Sequence, residues 1–265
     1  MARIRELSRR KERDAQGACI VEGVHAVQQA VAAGLPLEAV LVCPERIRTP
    51  EVTVWVADAH RRGLPLVELS LGQFERVTRM ESPVALVAVA AWRPMPLERL
   101  PAATPGVLVI AENLDEAGNL GSLIRTADGS GAGAVIATGA AADPAQRKCL
   151  RASLGTAFRL PVAWVERTPE ALAWARQRGY HLVATSPGAR DGYAQARYGH
   201  PVALIFGNER RGLEAETLRA CDQLVRIPML GSADSLNVTV AAGVLLYELQ
   251  RRRAAGPRPP GTAGD

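Results

Sequence analysis

The stretch GVLVIAENLDEAGNLGSLIRTA, residues 106–127, sets the fold of the larger part of this chain. A short unbroken apolar run ends in a polar, glycine-containing loop, and helix-like text beginning near Asn119 follows at once. An apolar run that does not alternate with polar residues is the signature of a strand buried on both faces, the kind found in parallel sheets with helices on either side. The same text recurs downstream as AVIAT (134–138), VAWV (162–165), YHLVAT (180–185), VALIF (202–206) and LVRIP (224–228), with helical segments between most of them. TPEALAWARQRG shows the grammar, with Thr168 expected as N-cap, Pro169 at the first helical position and Gly179 as stop. The expectation is an α/β domain built on a parallel sheet.

Working outward, the first ninety residues read as a smaller α/β unit. A helix is expected over 22–34, a strand over 37–42, a helix over 51–62 ending at Gly63, then the strand PLVEL and a closing apolar run at 84–90. Between them and the sheet, RPMPLERLPAATP places four prolines in thirteen residues, 93–105, which disfavours helix and sheet interior alike. The domain boundary is therefore set there: residues 1–92, a proline-rich linker 93–105, a second domain 106–254, and a tail 255–265 that is expected to be disordered.

Composition excludes more than it identifies. No apolar run is long enough for a membrane span and the first twenty residues are charged, so a cytoplasmic protein without membrane contact is expected. Cys19, Cys43, Cys149 and Cys221 form no C-x-x-C pair, the four histidines are scattered, and no metal site is expected. A net charge of +5, with six bases against two acids in RIRELSRRKER (3–13) and a second cluster QRRR at 250–253, makes a polyanion a plausible partner. A solvated helix face would explain the same clusters.

The chemistry sits where polar or glycine-rich text follows a strand: ENLDEAGNLGSLIRTA, GNERRGL and GSADSLN. Loops at the carboxyl ends of parallel strands converge on one crevice. DGSGAGAV (128–135) is no dinucleotide fingerprint, because its glycines alternate and end a helix before a strand; no P-loop is present either. Asn119, Arg125, Glu209, Ser235 and Asn237 offer donors, acceptors and a fixed cation, without a cysteine nucleophile, a histidine base or a metal cage. Gly118, Gly207 and Gly231 leave room for a ligand against the backbone. That inventory suits a cofactor carrying its own reactivity. Helix capping and a simple Arg125–Asp128 pair would account for some of the same residues.

In combination, these three segments, above all FGNERRGL (206–213) and IPMLGSADSLNVTVAAGVLLYE (227–248), resemble the signature motifs of the SpoU/TrmH family of RNA ribose methyltransferases in the SPOUT superfamily. RDAQGACIVEG (13–23), leading into a helix, is similar to the ribosomal-protein-like RNA-binding domain that precedes the catalytic domain in many members. The resemblance implies a deep trefoil knot in the C-terminal domain, S-adenosylmethionine as cofactor, and a homodimer whose second subunit completes the site. It assigns Asn119, Arg125, Glu209, Ser235 and Asn237 to catalysis, with Arg125 in the essential arginine position. Gly207, Ile227 and Leu236 fall to the cofactor, and Leu236 faces it while Ser235 and Asn237 face the reaction. The pair Glu116-Ala117 departs from the usual Asp-Pro, and loss of the proline frees that loop.

The expected reaction is methyl transfer to a ribose 2′-hydroxyl of structured RNA, with ribosomal RNA ahead of transfer RNA. A non-catalytic RNA-binding protein on the same fold is the alternative, and five retained site residues argue against it. Base methylation, as in other branches of the superfamily, fits the three motifs less well.

Overall fold

The computed structural model describes residues 2–78, 84–101, 106–139 and 143–254. The expected tail, 255–265, and the last four residues of the expected linker lie outside them. In chain order the smaller unit contains α1 (Ala2–Glu6), α2 (Arg10–Gln16), β1 (Ala18–Glu22), α3 (Val24–Ala32), β2 (Leu37–Val42), α4 (Pro50–Arg61), β3 (Leu66–Glu68), α5 (Leu71–Thr78) and β4 (Leu86–Ala91). The sheet order is β1-β4-β2-β3, antiparallel except for β2 with β3. Strand β1 was not expected as a separate element. Its five residues, ACIVE, are all buried, so the sheet gains an edge strand from text too short to show a period.

The larger unit runs β5 (Val107–Glu112), α6 (Ala117–Gly129), β6 (Ala134–Thr138), α7 (Arg147–Ala152), β7 (Val162–Val165), α8 (Thr168–Gln177), β8 (His181–Thr185), β9 (Asp191–Gly192), β10 (Val202–Phe206), α9 (Ala215–Ala220), β11 (Gln223–Arg226) and α10 (Val238–Ala254). Seven strands form one sheet in the order β7-β6-β5-β10-β8-β11-β9, and every neighbouring pair is parallel. The expected two-sided burial is present residue by residue. Val107, Val109 and Ala111 of β5 face one core while Leu108 and Ile110 face the other, and Leu204 and Ile205 of β10 divide in the same way.

Thr168 is not the N-cap of α8. That place is taken by Arg167, and the Thr168 hydroxyl lies 2.8 Å from that of Thr138, so a buried strand-to-helix hydrogen bond uses the group that capping would have used. The proline-rich segment also packs. Met95 N donates to Val162 O at 2.8 Å, and Leu97 and Leu100 are buried in the core beneath β7 and α8. Cys19, Cys43 and Cys149 are buried as small apolar groups, and Cys221 is half-buried.

The two units share one hydrophobic core. Cys19, Val21, Ala26 and Val27 of the smaller unit belong to the same buried cluster as Leu120, Cys149, Leu150 and Ala157 of the larger. Two ion pairs cross the seam. Arg13, buried on α2, reaches Asp143 at 2.5 Å, and Arg147 of α7 reaches Glu22 at the end of β1 at 2.5 Å. The Arg10 guanidinium lies 3.6 Å from the centroid of the Trp164 ring, a cation–π contact between α2 and β7.

Candidate active site

Strand β10 lies between β5 and β8, so the loops that follow β5, β8, β10 and β11 open on the same edge of the sheet. A cleft of about 390 Å³ is found there. Its walls come from Thr185 and Ser186 after β8, the 207–213 turn after β10, the segment from Ile227 to Leu236 after β11, and Val238 and Ala241 of α10. Of the expected residues, Gly207, Glu209, Ile227, Ser235 and Leu236 line it.

Asn119 and Asn237 join this group through hydrogen bonds. Asn119 is on the first turn of α6, and its amide donates to Glu209 Oε1 at 2.6 Å. The Asn237 amide donates in turn to Asn119 Oδ1 at 3.2 Å. The capping explanation holds as well, since Asn237 Oδ1 accepts the backbone N–H of Thr239 at 2.9 Å at the start of α10. Capping and site-building are thus two ends of one side chain. Glu209 Oε2 accepts Asp115 N at 3.2 Å, which fastens the loop whose usual proline is replaced: Ala117 takes the first helical position and Glu116 the cap.

Arg125 stands apart. Six residues beyond Asn119 on α6, it is displaced by roughly 9 Å along the axis and turned about 120° away around it. It is exposed and is not in the cleft lining, and the pair with Asp128 is not formed among the described residues. One chain therefore assembles the carboxamide–carboxylate group and the cleft, and presents the arginine on another face of the same helix.

Several residues with structural parts here were not singled out in the sequence. Asn208 is buried and donates through Nδ2 to Asn113 O at 2.7 Å, tying the first and second loops together. Asn113 has φ +50, and its Oδ1 would lie 1.9 Å from a Cβ on Gly139, so the neighbouring loop requires glycine. Buried Glu112 accepts Glu214 N at 3.0 Å and the Thr217 hydroxyl at 2.6 Å, which holds the first turn of α9 against the end of β5. A polar side chain that braces a loop leaves no periodic signal; only its place after a strand could have drawn attention to it.

The three glycines differ in their surroundings. A Cβ on Gly118 or Gly231 would meet open space. On Gly207 it would lie 2.5 Å from Gly212 C and 2.6 Å from Leu213 N, so that space is filled by the turn's own backbone and not by a ligand. Gly207→Ala is expected to force the turn open at a cost of about 1–3 kcal/mol. Calorimetric titration with S-adenosylmethionine should show roughly tenfold or greater loss of affinity, since 1.4 kcal/mol is a factor of ten.

Chemically, the cleft is apolar where Ile227, Leu236, Val238 and Ala241 line it, and polar where Glu209 and Ser235 do. The volume lies in the usual range for small-molecule sites. Among the described residues no three His, Cys, Asp or Glu side chains gather as a metal-holding group, and no helix is long and apolar enough to cross a membrane.

Comparison with known proteins agrees with this geometry. Residues 106–247 match the model of the SpoU rRNA Methylase family, and residues 1–88 match the MRM3-like substrate binding domain. The 23S rRNA (uridine(2479)-2′-O)-methyltransferase of Streptomyces viridochromogenes is 32% identical over 94% of this chain and 88% of its own length. The 23S rRNA (guanosine(2553)-2′-O)-methyltransferase RlmP of Bacillus subtilis is 33% identical over 93% and 94%. Among solved structures, the SpoU methyltransferase AviRb from S. viridochromogenes in complex with AdoMet superposes with a TM-score of 0.83, 31% identity and coverage of 97% and 99%. The AdoMet-bound rRNA methyltransferase from Sinorhizobium meliloti does so at 0.80, 32%, 94% and 92%. With its parallel sheet, its three convergent loops and matches over nearly its whole length, the chain belongs to the SpoU rRNA methylase family.

Proposed function

We propose that this chain transfers a methyl group from S-adenosylmethionine to a ribose 2′-hydroxyl of ribosomal RNA, with residues 1–92 engaging the RNA and residues 106–254 carrying out the transfer. The observation that supports this most directly is the Glu209–Asn119–Asn237 hydrogen-bond group, whose Glu209 lines a cleft shared with Gly207, Ile227 and Leu236. Ile227 and Leu236 would cradle the adenine, and Gly207 would offer backbone atoms. The bound cofactor supplies an electrophilic methyl group with a neutral thioether as leaving group.

What the chain adds is alignment and charge control. Holding an acceptor oxygen in line can contribute about 7 kcal/mol or more. Ser235 and the Asn119–Glu209 pair are placed to orient the ribose, with Glu209 kept fixed by its two donors. Arg125 offers a planar, positively charged five-donor fork. Its part is to stabilise the developing alkoxide as the hydroxyl proton passes to water, and to pair with a phosphate of the RNA.

The exposed position of Arg125 supports a homodimer in which a second copy brings this arginine to the cleft. Val240, Val244 and Tyr247 form a stripe at helical spacing on α10; Val240 and Tyr247 are 52% and 51% exposed, and the Tyr247 hydroxyl donates to Gly129 O of α6 at 3.3 Å. An exposed apolar stripe beside the helix that bears Arg125 is a fitting contact for a second copy. The strand order, with β10 and β11 inserted on either side of β8, suits the knotted threading that the resemblance implies. A ribosomal RNA substrate is consistent with action in the cytoplasm.

Incubation with methyl-labelled S-adenosylmethionine and unmodified ribosomal or transfer RNA, followed by digestion to nucleosides, tests the reaction. Label in a 2′-O-methyl nucleoside from ribosomal RNA is the expected result. Label in a base, or cofactor binding without transfer to either RNA, would overturn it.

A further inference from the structure

The turn from Asn208 to Gly212 carries two guanidinium groups on an unusually well-braced base. Asn208 N donates to Gly212 O at 3.0 Å and Gly212 N to Asn208 O at 2.9 Å, so the turn is closed in both directions. Asn208 Oδ1 accepts the backbone N–H of Arg210 at 2.9 Å and of Arg211 at 3.0 Å. The other end of the same amide is fixed to Asn113 O. Backbone freedom at Arg210 and Arg211 is therefore already spent in the free protein, and their exposed side chains start from a fixed position.

Charge at the cleft is unevenly satisfied. Arg210, Arg211 and Arg226 line it, against the carboxylates of Glu209 and Asp234. Glu209 accepts from Asn119 and Asp115 N, and among the described residues it forms no ion pair with the arginines beside it in sequence. Arg211 approaches Asp115 at 3.6 Å, a loose exposed pair worth little. The Arg210 guanidinium has no acceptor among the described residues. Two under-neutralised, pre-placed forks on the rim of a substrate cleft call for an anion that arrives with the substrate.

Resting on the function proposed above, we propose that Arg210 and Arg211 take the phosphodiesters on either side of the acceptor ribose and so set the RNA backbone in register over the cleft. A ribose within RNA has one phosphodiester on its 5′ side and one on its 3′ side. Guanidinium binds phosphate through two parallel N–H donors, which fixes orientation as well as position. Both residues act by positioning, while the reacting groups remain those of the site described above.

The test compares the full-length protein with R210Q/R211Q and R210K/R211K, measuring equilibrium binding of an unmodified ribosomal RNA transcript over a salt series. For R210Q/R211Q the slope of log affinity against log salt should become shallower by roughly 0.7–0.9 per arginine removed. Affinity at low salt should fall about tenfold per arginine. R210K/R211K should retain the slope and lose part of the affinity, since charge survives without the fork. The thermal midpoint should match the unsubstituted chain, because both side chains are exposed. Equal slopes for R210Q/R211Q and the unsubstituted chain would overturn the inference. So would a fall in cofactor affinity at an unchanged RNA slope, which would assign the guanidinium groups to the cofactor's carboxylate. A slope difference with no 2′-O-methyl product from the unsubstituted chain would sink the proposed reaction and leave the phosphate contacts supported.

Discussion

Arg125→Lys is expected to bind S-adenosylmethionine as the unsubstituted chain does and to turn over about 100- to 1000-fold more slowly, the range seen when a preorganised donor to a developing oxyanion is lost. The two halves of that expectation have separate structural grounds. Arg125 is absent from the lining of the cleft, on a face of α6 turned away from Asn119, so its removal leaves the walls of the cleft intact. Lysine preserves the charge but replaces a planar five-donor fork with a flexible point charge. Single-turnover rates with saturating RNA, beside calorimetric cofactor affinity, check both halves. Near-normal turnover would remove Arg125 from the chemistry. Because the arginine is expected to serve a neighbouring copy, mixing inactive Arg125→Lys with an inactive Asn119→Ala chain should restore part of the activity in mixed dimers.

The second large effect concerns stability. Asp143→Ala removes the partner of a buried cation: Arg13 would retain its bonds to Leu7 O and Ser8 O but lose its counter-ion, with Nε already without an acceptor. Breaking one side of a buried pair costs about 3–5 kcal/mol, because the remaining charge stays desolvated. Denaturant titration should show the unfolding free energy fall by that amount. Replacing both residues, Arg13→Met with Asp143→Leu, should recover most of it, since an apolar pair of similar volume is often neutral or stabilising. If the double replacement is as unstable as Asp143→Ala, the ion pair is not what the seam depends on.

Much of this was legible in the sequence, for identifiable reasons. The parallel sheet could be read because its strands are short apolar runs without alternation, and Ala134–Thr138 and Val202–Phe206 appear within the expected bounds. The convergence of the loops on one cleft could be read because polar text after a strand has few places to go. β1 escaped because five buried residues show no period, and α7 because six residues are too few. Asn208, Glu112 and Asn113 escaped for a different reason. Each is held by hydrogen bonds to groups distant in sequence, and pairing across about a hundred residues is set by topology, which no local window contains. The placement of Arg125 outside the cleft follows from helix geometry, but only once the start of α6 and the direction of Asn119 are known.

The core that runs without interruption from α3 into α6 and α7 also bears on how such enzymes diversify. A recognition module held by a loose tether can be exchanged between lineages with little penalty. Here an incoming module would have to supply, together, an arginine for Asp143, a carboxylate for Arg147 and a surface fitted to Leu150 and Ala157. Descent with small changes at exposed rim positions is then the easier route to a new target nucleotide, and recombination of whole modules the harder one.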